Sequence, residues 1–108
     1  MTKAVFFREK NGAFSGFCLT GHAMLSTEGS DILCAAITAM VQMTVNTLTE
    51  DLGIPVQVGV DPNRAEISAQ LPPHAGAAAQ ALLSGFYREL ATLEKAYPHN
   101  LSLREKQA

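Results

Sequence analysis

The chain has 108 residues, which is enough for one globular domain. Its 8 basic and 10 acidic residues give a formal net charge of −2, so a protein whose main task is to grip nucleic acid phosphates is disfavoured. The hydrophobic fraction of 47% argues against a disordered chain, and no apolar run reaches the length of a bilayer span. The N-terminus lacks the apolar core and cleavage site of a secretory signal. We therefore expect a cytoplasmic protein with neither a nucleic acid nor a membrane as its partner.

The first half of the chain predicts a β-hairpin followed by a long loop. Residues 4–8 and 14–20 are apolar segments with strand character, and Asn11-Gly12 between them tolerates the positive φ of a tight turn. Residues 21–29 lack periodicity and predict a nine-residue loop. A loop of this length exceeds the usual connection, which makes it a candidate for function.

A long helix is predicted for residues 30–52. Ser30 or Asp31 can cap its first turn, and Gly53 followed by Pro55 ends it. Mostly apolar residues at spacings of three and four form one stripe along this helix, so we expect the helix to lie at the centre of the hydrophobic core. The stripe contains Ile32, Ala36, Ile37, Met40, Val41, Thr44, Val45, Leu48 and Leu52.

The second half of the chain repeats this order of elements. Residues 56–60 and 65–71 alternate as strands around a turn, and residues 77–97 predict a second helix that ends at Pro98. Residues 100–104 predict a short edge strand, and the last residues are expected to fray. The predicted fold is α+β: the order is ββαββα with a short C-terminal strand, and two helices pack on a mostly antiparallel sheet.

Two cysteines, Cys18 and Cys34, permit at most one disulfide, and a reducing cytosol disfavours it. The cysteines and histidines are not spaced as ligands of a structural zinc ion. The glycines form neither a dinucleotide-binding fingerprint nor a Walker loop with its lysine. We therefore expect no metal and no cofactor.

His22 and Cys34 are the candidate catalytic residues because of where they lie. His22 follows the second predicted strand, and Cys34 lies in the predicted first turn of the long helix. The positive end of a helix favours a thiolate, and a neighbouring imidazole can pair with it. Together they would supply a nucleophile and a general base. The alternative is that Cys34 is a small core residue and that His22 is a solvated loop residue.

Two other residues near the candidate site have two interpretations each, and a third residue has one. Asp31 either caps the helix or orients His22, as the third member of a hydrolase triad does. Thr38 lies one turn after Cys34 and either supports the site or bonds back to a helix carbonyl. Cys18 lies in the middle of a strand and is predicted to be structural.

Three sequence blocks resemble one known family, the ribosomal-processing cysteine proteases called Prp. The resemblance covers essentially the whole chain and implies small, cytosolic, dimeric bacterial proteases with an α+β fold. Such enzymes remove a short N-terminal extension from the twenty-seventh protein of the large ribosomal subunit, after an apolar segment that ends in aromatic residues. The blocks are Gly16-Phe17, Gly21-His22-Ala23 and Gly29-x-Asp31-Ile32-x-Cys34-Ala35-Ala36.

The resemblance assigns roles to residues of this chain. It makes Cys34 the nucleophile and His22 the base, and Asp31 matches the aspartate of the family. The mobile loop between the blocks would shape the substrate site, with Gly21, Ala23, Met24, Gly29 and Ser30 as its candidate binding residues. Met24-Leu25 departs from the aromatic and small pair expected there, and Thr38 stands where the family often has serine. The pocket shape is therefore expected to differ while the chemistry is kept.

The N–H groups of the predicted first helical turn, around Leu33, Cys34 and Ala35, are candidate donors to the oxyanion of an acyl-transfer intermediate. The resemblance implies two partners, a ribosomal protein peptide as substrate and a second copy of the chain. Two alternatives remain open from the residues alone. One is a ribosome-associated binding module without activity, and the other is a dimeric thiol or redox protein that uses Cys34 and Cys18.

Overall fold

The computed structural model describes residues 1–21 and 27–108; the first helix is described by its backbone up to residue 31 and with side chains from Ile32 onward. Five strands and two helices follow one another, with a π-helical turn after the first helix. They are β1 (Thr2–Arg8), β2 (Phe14–Thr20), α1 (Thr27–Asn46), the π-turn (Thr47–Asp51), β3 (Gln57–Asp61), β4 (Glu66–Gln70), α2 (Ala77–Ala96) and β5 (Leu101–Gln107). The predicted order ββαββα with a C-terminal strand is confirmed.

The strands form one mixed sheet in the order β3-β4-β2-β1-β5. The hairpins β1–β2 and β3–β4 and the pair β2–β4 are antiparallel, whereas β5 runs parallel to β1. This topology leaves β3 and β5 as the two edges of the sheet. The prediction of a mostly antiparallel sheet is therefore confirmed. The one parallel pair is β1 and β5, which forms because the chain crosses back to β1 after α2.

The end of the chain differs from the prediction, because β5 reaches Gln107 instead of stopping near residue 104. Its register with β1 runs from Thr2↔Leu101 to Arg8↔Gln107, and the amide of Ala108 donates to the carbonyl of Arg8 at 2.7 Å. The Arg8 guanidinium also pairs with the carboxylate of Glu105. The expected fraying is wrong, because a full ladder of backbone bonds holds these residues.

The core lies on one face of the sheet, where both helices pack. Phe6 and Phe17 face each other across β1 and β2, and the ring of Phe86 from α2 lies 5.4 Å and 5.1 Å from their centroids. α1 contributes a stripe of buried residues at helical spacing, and the π-turn adds Leu48 to it: Leu33, Ile37, Val41 and Thr44. The predicted stripe is confirmed from Ile37 to Leu48, but Ile32, Ala36 and Leu52 are exposed, because the helix turns Leu33 towards the sheet in place of Ile32. No other described element covers the opposite face of the sheet.

α1 is unusually apolar for a helix that is only partly buried. The segment Ile32–Asp51 has the length and mean hydropathy, 1.5, that a membrane span would need, and it is the one described helix that does. Its buried stripe packs in the core of the domain, as in the core helix of a globular protein. Other apolar residues of the helix stay in solvent, with Ile32 68% and Met43 58% exposed.

The hydroxyl of Thr44 is the one buried side-chain oxygen in the described part of the chain that lacks a hydrogen-bond partner. Its residue is fully buried among apolar side chains. We predict that Thr44→Val stabilises the fold by about 1 kcal/mol, because valine keeps the shape and removes an unsatisfied polar group. In thermal denaturation this corresponds to a rise in Tm of roughly 4–8 °C.

Thr44→Ser is the matched control, because it keeps the hydroxyl and deletes a methyl group. Its Tm should fall. A Thr44→Val protein that melts at or below the wild-type temperature would show that the hydroxyl is satisfied in solution, for instance by a buried water.

Candidate active site

A cavity of about 310 Å³ lies beside Cys34, between α1 and the β3–β4 hairpin. α1 forms one wall and the hairpin forms the other, while the ends of β1 and β2 close the floor. A larger depression of about 550 Å³ involves the opposite side of the sheet and contains neither cysteine. The cavity beside Cys34 is lined by Thr2, Leu19, Gly21, Cys34, Ile37, Thr38, Val41, Gln42, Val60, Asp61, Pro62, Ala65, Glu66 and Ile67.

Cys34 and Thr38 are brought together as the sequence predicts. They lie one turn apart on α1 and line the same cavity. Cys34 is half-buried and packs at the margin of the core, while Thr38 is exposed to solvent. A thiol placed in this way can be reached by a ligand in the cavity without opening the core.

The start of α1 is where the sequence prediction is wrong. The helix begins at Thr27, so Ser30 and Asp31 lie inside it and neither caps it, and Cys34 is its eighth residue. The predicted loop is shortened from its C-terminal end, because residues 27–29 are helical. Helix-end electrostatics fade beyond the first turn, so the position of Cys34 in the helix does not by itself provide the predicted activation of the thiol.

The same shift removes the predicted oxyanion donors. In an α-helix only the first four N–H groups lack an intrahelical carbonyl partner. The N–H groups of Leu33, Cys34 and Ala35 come after these four and are used within the helix. The cavity instead offers side-chain donors, the hydroxyl of Thr38 and the amide of Gln42.

Several predicted site residues cannot be placed against Cys34. His22, Ala23 and Met24 lie outside the described residues, so their proximity to the thiol stays a prediction. Gly29, Ser30 and Asp31 belong to the first turns of α1, and their side chains lie outside the described part. Of the predicted site residues, the structure describes the side chains of Cys34 and Thr38 and the backbone of Gly21.

Gly21 fixes the direction in which the chain leaves β2, immediately before His22. Its φ is +89°, and an added Cβ would lie 2.5 Å from the carbonyl oxygen of Met1. Its amide donates to the carbonyl of Ala65 at 3.1 Å, and its carbonyl accepts a bond from the Thr2 hydroxyl at 3.4 Å. Only glycine fits at this position, between the N-terminus and the β3–β4 turn. The contact of Gly21 with a substrate stays a prediction.

Cys18 lies on the opposite face of the sheet from the cavity. Leu19 points into the core, so its neighbour Cys18 points to the uncovered face, where its sulfur lies 3.8 Å from the Thr20 hydroxyl oxygen. Both cysteines are outside any disulfide. An intramolecular bond between Cys18 and Cys34 would require the sulfurs to meet across the sheet, which disulfide geometry does not allow.

Sequence reasoning missed the β3–β4 wall of the cavity. Val60, Asp61, Pro62, Glu66 and Ile67 are far from Cys34 along the chain, and nothing in their own pattern points to it. Asp61 and Glu66 bring negative charge to the cavity, and Glu66 is paired with Arg64 at 3.5 Å. No group of three or more His, Cys, Asp or Glu side chains arranged to hold a metal ion occurs among the residues that the structure describes.

A pair of glycines tests the importance of the close contact at Gly21. Gly12 also has a φ of +89°, but an added Cβ there would meet nothing within 4 Å. We predict that Gly12→Ala costs about 1 kcal/mol from backbone strain alone. Gly21→Ala should cost clearly more, because the methyl group also displaces Met1. Chemical denaturation measures both, and equal losses would show that the N-terminus yields freely.

Comparison with known proteins identifies a family for this chain. The profile of the family "Cysteine protease Prp" matches residues 1–102. The ribosomal processing cysteine protease Prp of Bacillus subtilis (strain 168) is 32% identical over 105 residues, which cover 94% of each chain. The crystal structure of SMU.848 from Streptococcus mutans superposes with a TM-score of 0.89 at 25% identity, over 100% of this chain and 96% of that one.

A third relative has been solved with a peptide. The essential ribosomal processing protease Prp from S. aureus, in complex with a covalently linked product peptide, has a TM-score of 0.89 at 24% identity. The match covers 98% of this chain and 100% of that one, and it shows the same fold. The family profile and the B. subtilis relative together establish that this chain belongs to the Prp family of ribosomal processing cysteine proteases.

Proposed function

We propose that the chain is a cytoplasmic endopeptidase that removes the short N-terminal extension of the twenty-seventh protein of the large ribosomal subunit. Cys34 is its nucleophile and His22 is its general base. The observation that carries this proposal is the position of Cys34, since it is the cysteine that lines a cavity open to a peptide. Membership of a cysteine protease family supplies the reaction class.

The reaction proceeds in two steps. The Cys34 thiolate attacks the scissile carbonyl carbon, and the leaving amine takes a proton from the imidazolium of His22, which leaves a thioester. His22 then removes a proton from water, the resulting hydroxide attacks the thioester, and the Cys34 sulfur departs with the proton shared by His22. The new N-terminus is released first and the extension second.

The oxyanion needs donors other than the amides of α1 near Cys34, which are already bonded within the helix. The Thr38 hydroxyl is suited to this role, because it lines the cavity one turn from the thiol and is exposed. Asp31 is one turn before Cys34 on α1 and is proposed to orient His22.

The named relatives support a peptide as the substrate. The B. subtilis relative carries the name of a ribosomal processing protease, and the S. aureus relative has been crystallised with a substrate peptide and with a covalently linked product peptide. The alternative of an intramolecular redox pair is disfavoured, because Cys18 and Cys34 lie on opposite sides of the sheet.

The proposal is tested by incubating the protein with a peptide that spans the N-terminus of the host's own ribosomal protein. Mass spectrometry should find a single cut by the wild type. Cys34→Ala and His22→Ala should lower kcat by at least about a thousandfold, because each removes a member of the reacting unit. Cys18→Ala is the matched control and should keep wild-type activity.

Two results would contradict this assignment. Cleavage that survives in Cys34→Ala would rule out the nucleophile, and loss of cleavage in a folded Cys18→Ala protein would show that the other thiol acts. If the folded wild type binds the peptide without cutting it, the chain is a binding module.

A second part of the proposal is that the chain works as a homodimer through α1. Ile32, Ala36, Ala39 and Met43 fall on one exposed side of this helix, at spacings of three and four. Contiguous exposed apolar surface is uncommon on a monomer, and small alanines let two helices approach closely. The same stripe of a second copy is the occupant that such a surface fits, because a two-fold interface places one patch on itself.

Sedimentation velocity measures this assembly. The wild type should sediment as a dimer at micromolar concentration, and Met43→Glu should sediment as a monomer because it buries a charge in the contact. Ala81→Glu, which places the same charge on the exposed surface of α2, is the control and should remain a dimer. A wild type that is monomeric throughout, or a dimer unaffected by Met43→Glu, contradicts an α1 interface.

A further inference from the structure

Three cations lie together on the open face of the sheet, which is the face opposite the two helices. Lys3 alternates with the core residues of β1, and Arg104 and Lys106 alternate along β5 on the same side. All three are exposed, and none forms an ion pair with another described residue. They are three of the 8 basic residues, so a chain of net charge −2 carries a positive strip along β1 and β5.

One row of residues on this face crosses all five strands and combines a cation, an aromatic ring and two amides. Phe7 of β1 lies opposite Lys106 on one side and opposite Gly16 of β2 on the other. Gly16 lies opposite Gln70 of β4, which in turn lies opposite Gln57 of β3. Because Gly16 has no side chain, the row has a gap between the partly exposed ring of Phe7 and the amide of Gln70.

This gap belongs to the depression of about 550 Å³ on the open face. Gly59 and Ser68 also line it, and an added Cβ at Gly59 would lie 2.8 Å from the Ser68 hydroxyl oxygen. The volume is in the range of pockets that hold small ligands. Among the described residues that line the depression, none is aspartate or glutamate. Asp61 and Glu66 are paired at the opposite end of β3 and β4 from Gln57 and Gln70.

We propose that the open face binds single-stranded nucleic acid, with one base stacked on Phe7 and the phosphates along the positive strip. Proteins bind unpaired strands by stacking bases on aromatic side chains, beside cations that contact the phosphates. The amides of Gln57 and Gln70 offer both donors and acceptors to the edge of a base. An acidic peptide would also satisfy the cations, but the aromatic ring and the two amides match a base.

The number and spacing of the cations set the strength of this binding. Lys3, Arg104 and Lys106 lie in three successive rows, and alternate residues of a strand are about 6.6 Å apart, so the strip spans about 13 Å. A strip of this length needs several consecutive phosphates, which an oligonucleotide supplies. Three phosphate contacts give a slope of about −2 for the logarithm of affinity against that of salt concentration, and a Kd of about 10⁻⁶–10⁻⁴ M at physiological salt. Such weak binding agrees with a net charge that disfavours nucleic acid as the main ligand.

The test is fluorescence anisotropy of the intact protein with a labelled RNA of about eight nucleotides, over a range of salt concentrations. Phe7→Leu keeps the apolar bulk but removes the ring, and it should weaken binding about 5- to 150-fold. Phe7→Tyr keeps the ring and should bind as the wild type does. Lys106→Gln should weaken the binding of all RNA sequences alike and reduce the salt slope by about 0.7.

Lys95→Gln is the matched control, because it removes the same charge from an exposed position on α2, on the other side of the sheet. Its affinity and salt slope should match those of the wild type. All four variants should keep the wild-type Tm and peptidase activity, because Phe7, Lys95 and Lys106 do not line the cavity beside Cys34. The proposal and the protease assignment can therefore fail independently.

Four results would overturn the proposal. The first is an RNA anisotropy that stays unchanged at low salt up to millimolar protein. The second is equal RNA affinity of the wild type and Phe7→Leu, and the third is the same loss in Lys95→Gln as in Lys106→Gln. The fourth is a polyglutamate peptide of similar length that binds as tightly as the RNA. That result would replace nucleic acid by an acidic protein segment, because polyglutamate has no base to stack on Phe7.

Discussion

The packing of α1 against one face of the sheet is the interaction on which the site depends. Leu33, Ile37 and Val41 are buried by this contact, and each contributes about 1.5–3 kcal/mol when fully removed from water. Burial of Leu33 and Ile37 fixes the rotation of the helix about its axis. Cys34 follows Leu33, so it is carried to the margin of the stripe, where it is half-buried and faces the cavity. Cys34, the proposed nucleophile, is thus positioned by the hydrophobic packing of the helix that carries it.

The opposite wall of the cavity is held by the sheet. β4 pairs with β2 along its length, and β3 pairs with β4, so the hairpin turn at residues 61–65 lies beside the end of β2. The bond from the Gly21 amide to the Ala65 carbonyl ties this turn to the point where the chain leaves β2 towards His22. The turn, which contains neither His22 nor Cys34, therefore lines the same cavity as Gly21 and Cys34.

The starting point of α1 changes how the thiol must be activated. If the helix began at residue 30 or 31, its free N–H groups and its positive end would both act on Cys34. Because the helix begins at Thr27, its free N–H groups lie about two turns before Cys34. The proposed mechanism therefore relies on a neighbouring base to deprotonate the thiol. This makes the imidazole of His22 more important to the proposed mechanism than helix electrostatics. Because the backbone amides near Cys34 are bonded within the helix, side chains such as Thr38 are the proposed donors to the oxyanion.

The sequence by itself determined the order of the elements, the hairpin at Asn11-Gly12, the buried stripe from Ile37 to Leu48 and the candidate thiol, because each depends on periodicity or on residues close together in the chain. The sequence also indicated the family, because three short blocks of neighbouring residues resemble those of the Prp proteases. The start of α1, the full length of β5 and the cavity wall at Val60 and Ile67 were decided by tertiary structure. Helix caps are weak local signals that packing overrides, and β5 persists because β1 offers it a ladder of backbone bonds. Val60 lines the same cavity as Cys34 only because the fold brings together two segments that are distant in sequence, and no local pattern predicts that arrangement.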